Sequence, residues 1–119
     1  MSWKKYLEAS KRFAKIALNS EEDPTVRVQN AFKAVEFAIA ACAIKYGKNR
    51  PERGKEPLFV ELNFGLKARN DFIAMRTAYY DSYGLVSKQR AEYICRKMKT
   101  LLETILSVIE ENKRRDTDA

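Results

Sequence analysis

Residues 27–47, "RVQNAFKAVEFAIAACAIKYG", decide how this chain folds. Val28, Ala31, Phe32, Val35, Ala38, Ile39, Cys42 and Tyr46 recur at helical spacing and form one apolar stripe. Phe37, Ala40, Ala41 and Ile44 form a second. A helix that is apolar on two faces needs neighbours on both sides, so the segment predicts the central helix of a bundle, over about 25–46. Small residues at 38, 40, 41 and 43 let a neighbouring helix approach closely. Thr25 is placed to cap the start, after the break at "NSEEDPT" (19–25), and Gly47 to stop the end.

Outward from this helix the pattern stays helical. Residues 2–18 place Trp3, Tyr6, Leu7, Ser10, Phe13, Ala14 and Ala17 on one face, behind Ser2 as N-cap. Lys4, Lys5, Lys11, Arg12 and Lys15 lie mostly on the other side. Pro57 suits the first position of a third helix, in which Leu58, Phe59, Leu62 and Leu66 follow helical spacing and Gly65 marks a weak point or kink. A piece over 68–82 buries Phe72, Ile73, Met75 and Tyr79 and ends at Gly84. Ser87 caps a long closing helix with the stripe Ala91, Ile94, Cys95, Met98, Leu101, Leu102, Ile105, Val108 and Ile109. The expected fold class is all-α, an antiparallel bundle of four to five helices. One domain spans residues 1–112, followed by a frayed charged tail over 113–119.

Composition narrows the chemistry. The net charge of +7, from 23 basic and 16 acidic residues, favours contact with polyanions, and a mixed, highly charged surface also fits a thermophile. The longest apolar run, "FAIAACAI" (37–44), is far short of the ~20 residues of a membrane span. "MSWKKYLEAS" turns polar at once, unlike a signal peptide, so a cytoplasmic protein without membrane contact is expected. Cys42 and Cys95 fall on apolar stripes and read as two buried thiols, not a disulfide or metal pair. No histidine is present. Acid–base work would therefore fall to Asp, Glu, Lys, Tyr or Cys with displaced pKa values, and Ser-His-Asp triads and histidine-based zinc sites are excluded. Neither a metal nor a cofactor is expected.

Two segments are candidates for binding. The loop "KYGKNRPERGKEP" (45–57) carries Lys48, Arg50, Arg53 and Lys55, and reads either as a solvated connection or as a basic arm for phosphates. Its glycines match no P-loop or dinucleotide fingerprint. The segment "AMRTAYYDSYG" (74–84) sets Arg76 and Thr77 before Tyr79, Tyr80, Asp81 and Tyr83. Tyr79 reads as core, while Tyr80 and Tyr83 have polar tips suited to an interface or a stacked base.

This order of parts resembles the HEPN superfamily of small helical bundles, over roughly residues 3–110: an amphipathic helix, the "AFKAVEFAIAACAIKYG" helix, a basic loop, a broken helix ending in an arginine motif, and a long closing helix. Ribonuclease members carry an arginine, a polar residue, a few apolar residues and a histidine, often followed by a tyrosine. On "RTAYYDSY" these fall on Arg76, Thr77, Asp81 and Tyr83. The resemblance implies an arginine that steadies a phosphate, but an anionic aspartate where proton transfer needs an imidazole. Arg76 and Asp81 can pair within the chain, pair across a two-fold interface, or bind a ligand. The expected function is a non-catalytic, homodimeric module holding RNA or a nucleotide at a dimer groove. The alternative implied by the resemblance is the partner or substrate-binding subunit of a separate minimal nucleotidyltransferase, of toxin–antitoxin type, with Tyr83 at the modifiable tyrosine. A metal-independent ribonuclease is the least favoured.

Overall fold

The computed structural model describes the backbone of residues 2–118 and the side chains of residues 2–110. Five α-helices follow in order: α1 (Trp3–Ala17), α2 (Pro24–Lys45), α3 (Glu56–Phe64), α4 (Leu66–Asp81) and α5 (Lys88–Asp118), with one 3-10 turn at Arg53–Lys55. No strand occurs among the described residues. The all-α architecture expected from periodicity is the one observed. The expected frayed segment, 113–119, lies where side chains are outside the described residues.

α2 is the axis of the bundle. α1 packs antiparallel along it, α5 and α4 cover its other sides, and α3 folds back on α4. Val28, Ala31, Ala34, Val35, Ala38, Ile39 and the run Ala40–Ala43 are all solvent-free. Alanine supplies the close approach, because a helix with methyl side chains takes neighbours nearer than one with leucines. The larger side chains of the core, Phe32, Phe72, Met75, Met98, Leu101 and Ile105, come from α2, α4 and α5. Cys42 and Cys95 are buried free thiols. Burial pushes Cys42 up to about 11 and raises Cys95 as well, so neither is a nucleophile at neutral pH.

The helix ends follow local chemistry. Asp23, rather than Thr25, caps α2: its carboxylate accepts from Thr25 N–H at 2.8 Å, and Pro24 takes the first helical position. An aspartate followed by proline outcompetes the threonine because proline needs no amide partner there. At the other end Gly47 (φ 73°) closes a Schellman motif, with Lys48 N–H on Ala43 O at 2.9 Å and Gly47 N–H on Ile44 O at 3.0 Å. Gly65 (φ 97°, ψ 173°) separates α3 from α4 outright, a conformation that side chains rarely adopt. Ser87 caps α5, accepting from Arg90 N–H at 3.0 Å.

One buried cation ties three helices together. Arg27, on α2, donates from Nε to Ala17 O at 2.8 Å and from Nη1 to Glu92 at 2.7 Å. Cys95 Sγ reaches the same Ala17 carbonyl at 3.2 Å. Asp71 joins α4 to α5 through Lys97 at 3.0 Å. Arg27 makes the bonds to both Ala17 and Glu92, so replacing it leaves the buried Ala17 carbonyl without its guanidinium donor, whereas an amide at 92 still accepts from Arg27. Arg27→Met is expected to destabilise the fold by about 2 kcal/mol in urea unfolding, and Glu92→Gln by clearly less.

Candidate functional site

The tyrosine-rich end of α4 meets the basic loop. Tyr79 turns inward and packs on Phe32 (ring centroids 4.8 Å), as its position on the stripe implies. Tyr80 and Tyr83 stand around it edge-on, at 5.6 and 6.5 Å, and remain 53 % and 79 % exposed. Burial, then a hydrogen bond with the Tyr83 hydroxyl, raises the Tyr79 phenol above its usual value. Arg53, carried by the 3-10 turn, lies close enough to Tyr79 and Tyr80 to feel both, and forms an ion pair with Glu36 (Nε–Oε2 3.5 Å).

Under this loop lies a pair of carboxyls that periodicity does not single out. Glu36 of α2 and Glu56 at the start of α3 are only 4 % and 2 % exposed. They are hydrogen-bonded to each other, and Glu56 is pushed up to about 8, first by burial, then by that bond and by the Glu36 charge. Arg50 and Arg53 pull it partly back. Glu36 Oε2 and Glu56 Oε1 have no hydrogen-bond partner among the described residues. Glu56 therefore keeps its proton at neutral pH, which is how two acids tolerate one dry site.

The other predicted residues divide. Arg50 is spent on ring faces, 5.8 Å over Tyr6 and 5.4 Å over Phe37. Lys48 and Lys55 are exposed, with no ion pair among the described residues. Arg76 is half-buried, and no ion pair or hydrogen bond engages its guanidinium among the described residues. Thr77 beside it is exposed. Helical spacing sets Arg76 on the side of Tyr80 (i+4), whereas Tyr83 lies past the end of α4, in the turn against Tyr79. Asp81 does not pair with Arg76 in the chain; it faces Arg90 of α5 at 4.0 Å. Five positions along a helix turn the two side chains to different sides, and α5 offers the aspartate a better-placed cation.

Chemically, the arrangement can hold an anion against a guanidinium with phenol faces beside it. Asp81 is exposed and turned to Arg90, and Glu56, the carboxyl that burial raises, lies under the loop. No cluster of three or more His, Cys, Asp or Glu suited to a metal ion occurs among the described residues. No helix among the described residues is long and apolar enough to cross a membrane. Comparisons with protein-family models, with curated proteins and with solved structures found no match.

The carboxyl pair makes stability depend on pH. The folded chain holds a proton up to about pH 8, whereas the unfolded chain loses it near the ordinary glutamate value, about 4.3. Stability is thus full below that value, falls as pH rises towards 8, and levels off beyond, at no more than about 1.4 kcal/mol per pH unit. Glu56→Gln, which keeps a donor for Glu36, is expected to flatten this fall in unfolding curves taken at pH 5, 7 and 9. An unchanged slope in the variant would contradict the assignment.

Proposed function

We propose that this chain is an anion-binding module, HEPN-like and non-catalytic, that holds RNA or a nucleotide at the Arg76 face of α4. The observation that carries the reading is Arg76 itself. A half-buried guanidinium with no counter-charge among the described residues sits one helical turn from the exposed phenol of Tyr80, with the exposed Tyr83 just past the helix end. A buried or half-buried cation left unsatisfied within its own chain is suited to an external anion, and phenol faces suit a base stacked beside it. The net charge of +7 draws polyanions toward the chain, with Lys48 and Lys55 free to extend the path. Arg50 and Arg53 contribute less than their charge promises, because rings and Glu36 already engage them.

The absence of histidine, together with Asp81 turned to Arg90, supports binding over strand cleavage. A homodimer that apposes two Arg76 faces fits this reading, and sedimentation at micromolar concentration tests it: a monomer there removes the dimer groove.

The full chain is expected to bind a fluorescein-labelled single-stranded RNA, with affinity falling steeply from 50 to 200 mM KCl. Arg76→Ala should weaken binding about tenfold and shallow the salt slope by ~0.7. Tyr80→Ala should weaken binding without moving the slope, since stacking releases no counterion. Affinity indifferent to salt, or unaltered by Arg76→Ala, would reject the reading.

The 79 % exposure of Tyr83 favours a second reading, in which a separate nucleotidyltransferase modifies that phenol. Co-expression with such an enzyme should then add the mass of one nucleotide, lost in Tyr83→Phe.

A further inference from the structure

A second surface lies on the α1–α5 side of the bundle. α1 and α5 both pack on α2 but scarcely touch each other. The gap between them is an open groove of about 440 Å³ whose walls are Leu7, Ala14 and Leu18 of α1 and Leu102 and Leu106 of α5. Its one buried polar group, the Ser10 hydroxyl, is already satisfied by Ala34 O at 2.6 Å. The groove therefore asks for apolar contact rather than a polar ligand. Leu18 stands 50 % exposed at one end, a side chain of the kind that marks an interaction surface when it borders an apolar depression.

Length and charge select the occupant. From Leu7 to the C-cap Leu18 the chain advances eleven positions, roughly 16 Å or three turns, which matches a short facing helix with apolar residues at i, i+3/i+4, i+7 and i+11. The rim is cationic. Exposed Lys11 and Lys15 flank it on α1, and Arg96 and Lys99 stand with Leu18 around an adjoining hollow, where the acid, Glu92, is already paired with Arg27; exposed Glu103 follows Leu102 on α5. A second copy would bring the same cations to face these, from a chain that already carries +7. We infer that the α1–α5 groove docks an amphipathic helix of another protein, with an apolar face flanked by Asp and Glu.

The test uses the full chain and two synthetic fourteen-residue peptides. Both carry leucines at the spacing above; one has glutamates on its flanks and its twin has lysines. The glutamate peptide is expected to bind saturably by fluorescence anisotropy, and the lysine twin at least tenfold more weakly. Lys11→Glu with Lys15→Glu, both on exposed surface, should weaken the glutamate peptide at least tenfold and reverse the preference between the twins. Ala14→Trp, which fills the groove, should abolish binding of both. No binding of the glutamate peptide, or equal binding of the twins, would overturn the inference. So would displacement of the bound peptide by micromolar dodecanoate, which would make the groove an acyl-chain site, or a dimer that Ala14→Trp converts to monomer, which would give it to a second copy.

Discussion

α2 is covered along most of its circumference, and that single constraint organises the molecule. Its alanines allow α1, α4 and α5 to close around it, leaving Lys33 exposed on the remaining side while Glu36, one turn further on, is buried. Glu36 is caught in this position. Leaving a lone carboxylate dry would cost several kcal/mol, so the chain brings a second acid, Glu56, to share a hydrogen bond and an arginine, Arg53, to face it. In doing so it fixes where α3 begins and where the 3-10 turn of the basic loop lies. The position of the loop beside Tyr79 and Tyr80 is thus a consequence of satisfying one carboxyl in the core.

The same arrangement divides the cations by role. Arg27 is structural, bonded to Ala17 O and Glu92. Arg53 and Arg50 are held by Glu36 and by the rings of Tyr6 and Phe37. Arg76, Lys48 and Lys55 are left with their charge uncommitted among the described residues. A net charge of +7 is therefore a poor guide to binding until the engaged guanidiniums are set aside.

Much of the fold is written in local pattern. The double stripe of α2, the stop at Gly47, the break at Gly65, the cap at Ser87 and the two buried thiols each follow from residue type and spacing, and each is found where those rules put it. What pattern could not supply is pairing across elements. The cap of α2 turned on whether Asp23 or Thr25 reached the free amides, a choice that Pro24 settled. The Asp81 partner depends on where α5 starts, which only the packed bundle determines. Glu36 and Glu56 are twenty residues apart and look like ordinary surface acids until the basic loop folds over them.

Glu56 holds its proton inside the fold because the fold buries it, and because Glu36 lies beside it. Titration of the side-chain carboxyl carbon of Glu56 by NMR, with the residue assigned through Glu56→Gln, tests this directly. A midpoint about 8 is the expected result. A midpoint near the ordinary glutamate value of about 4.3 would mean that water reaches the pair and that the loop is not anchored as described.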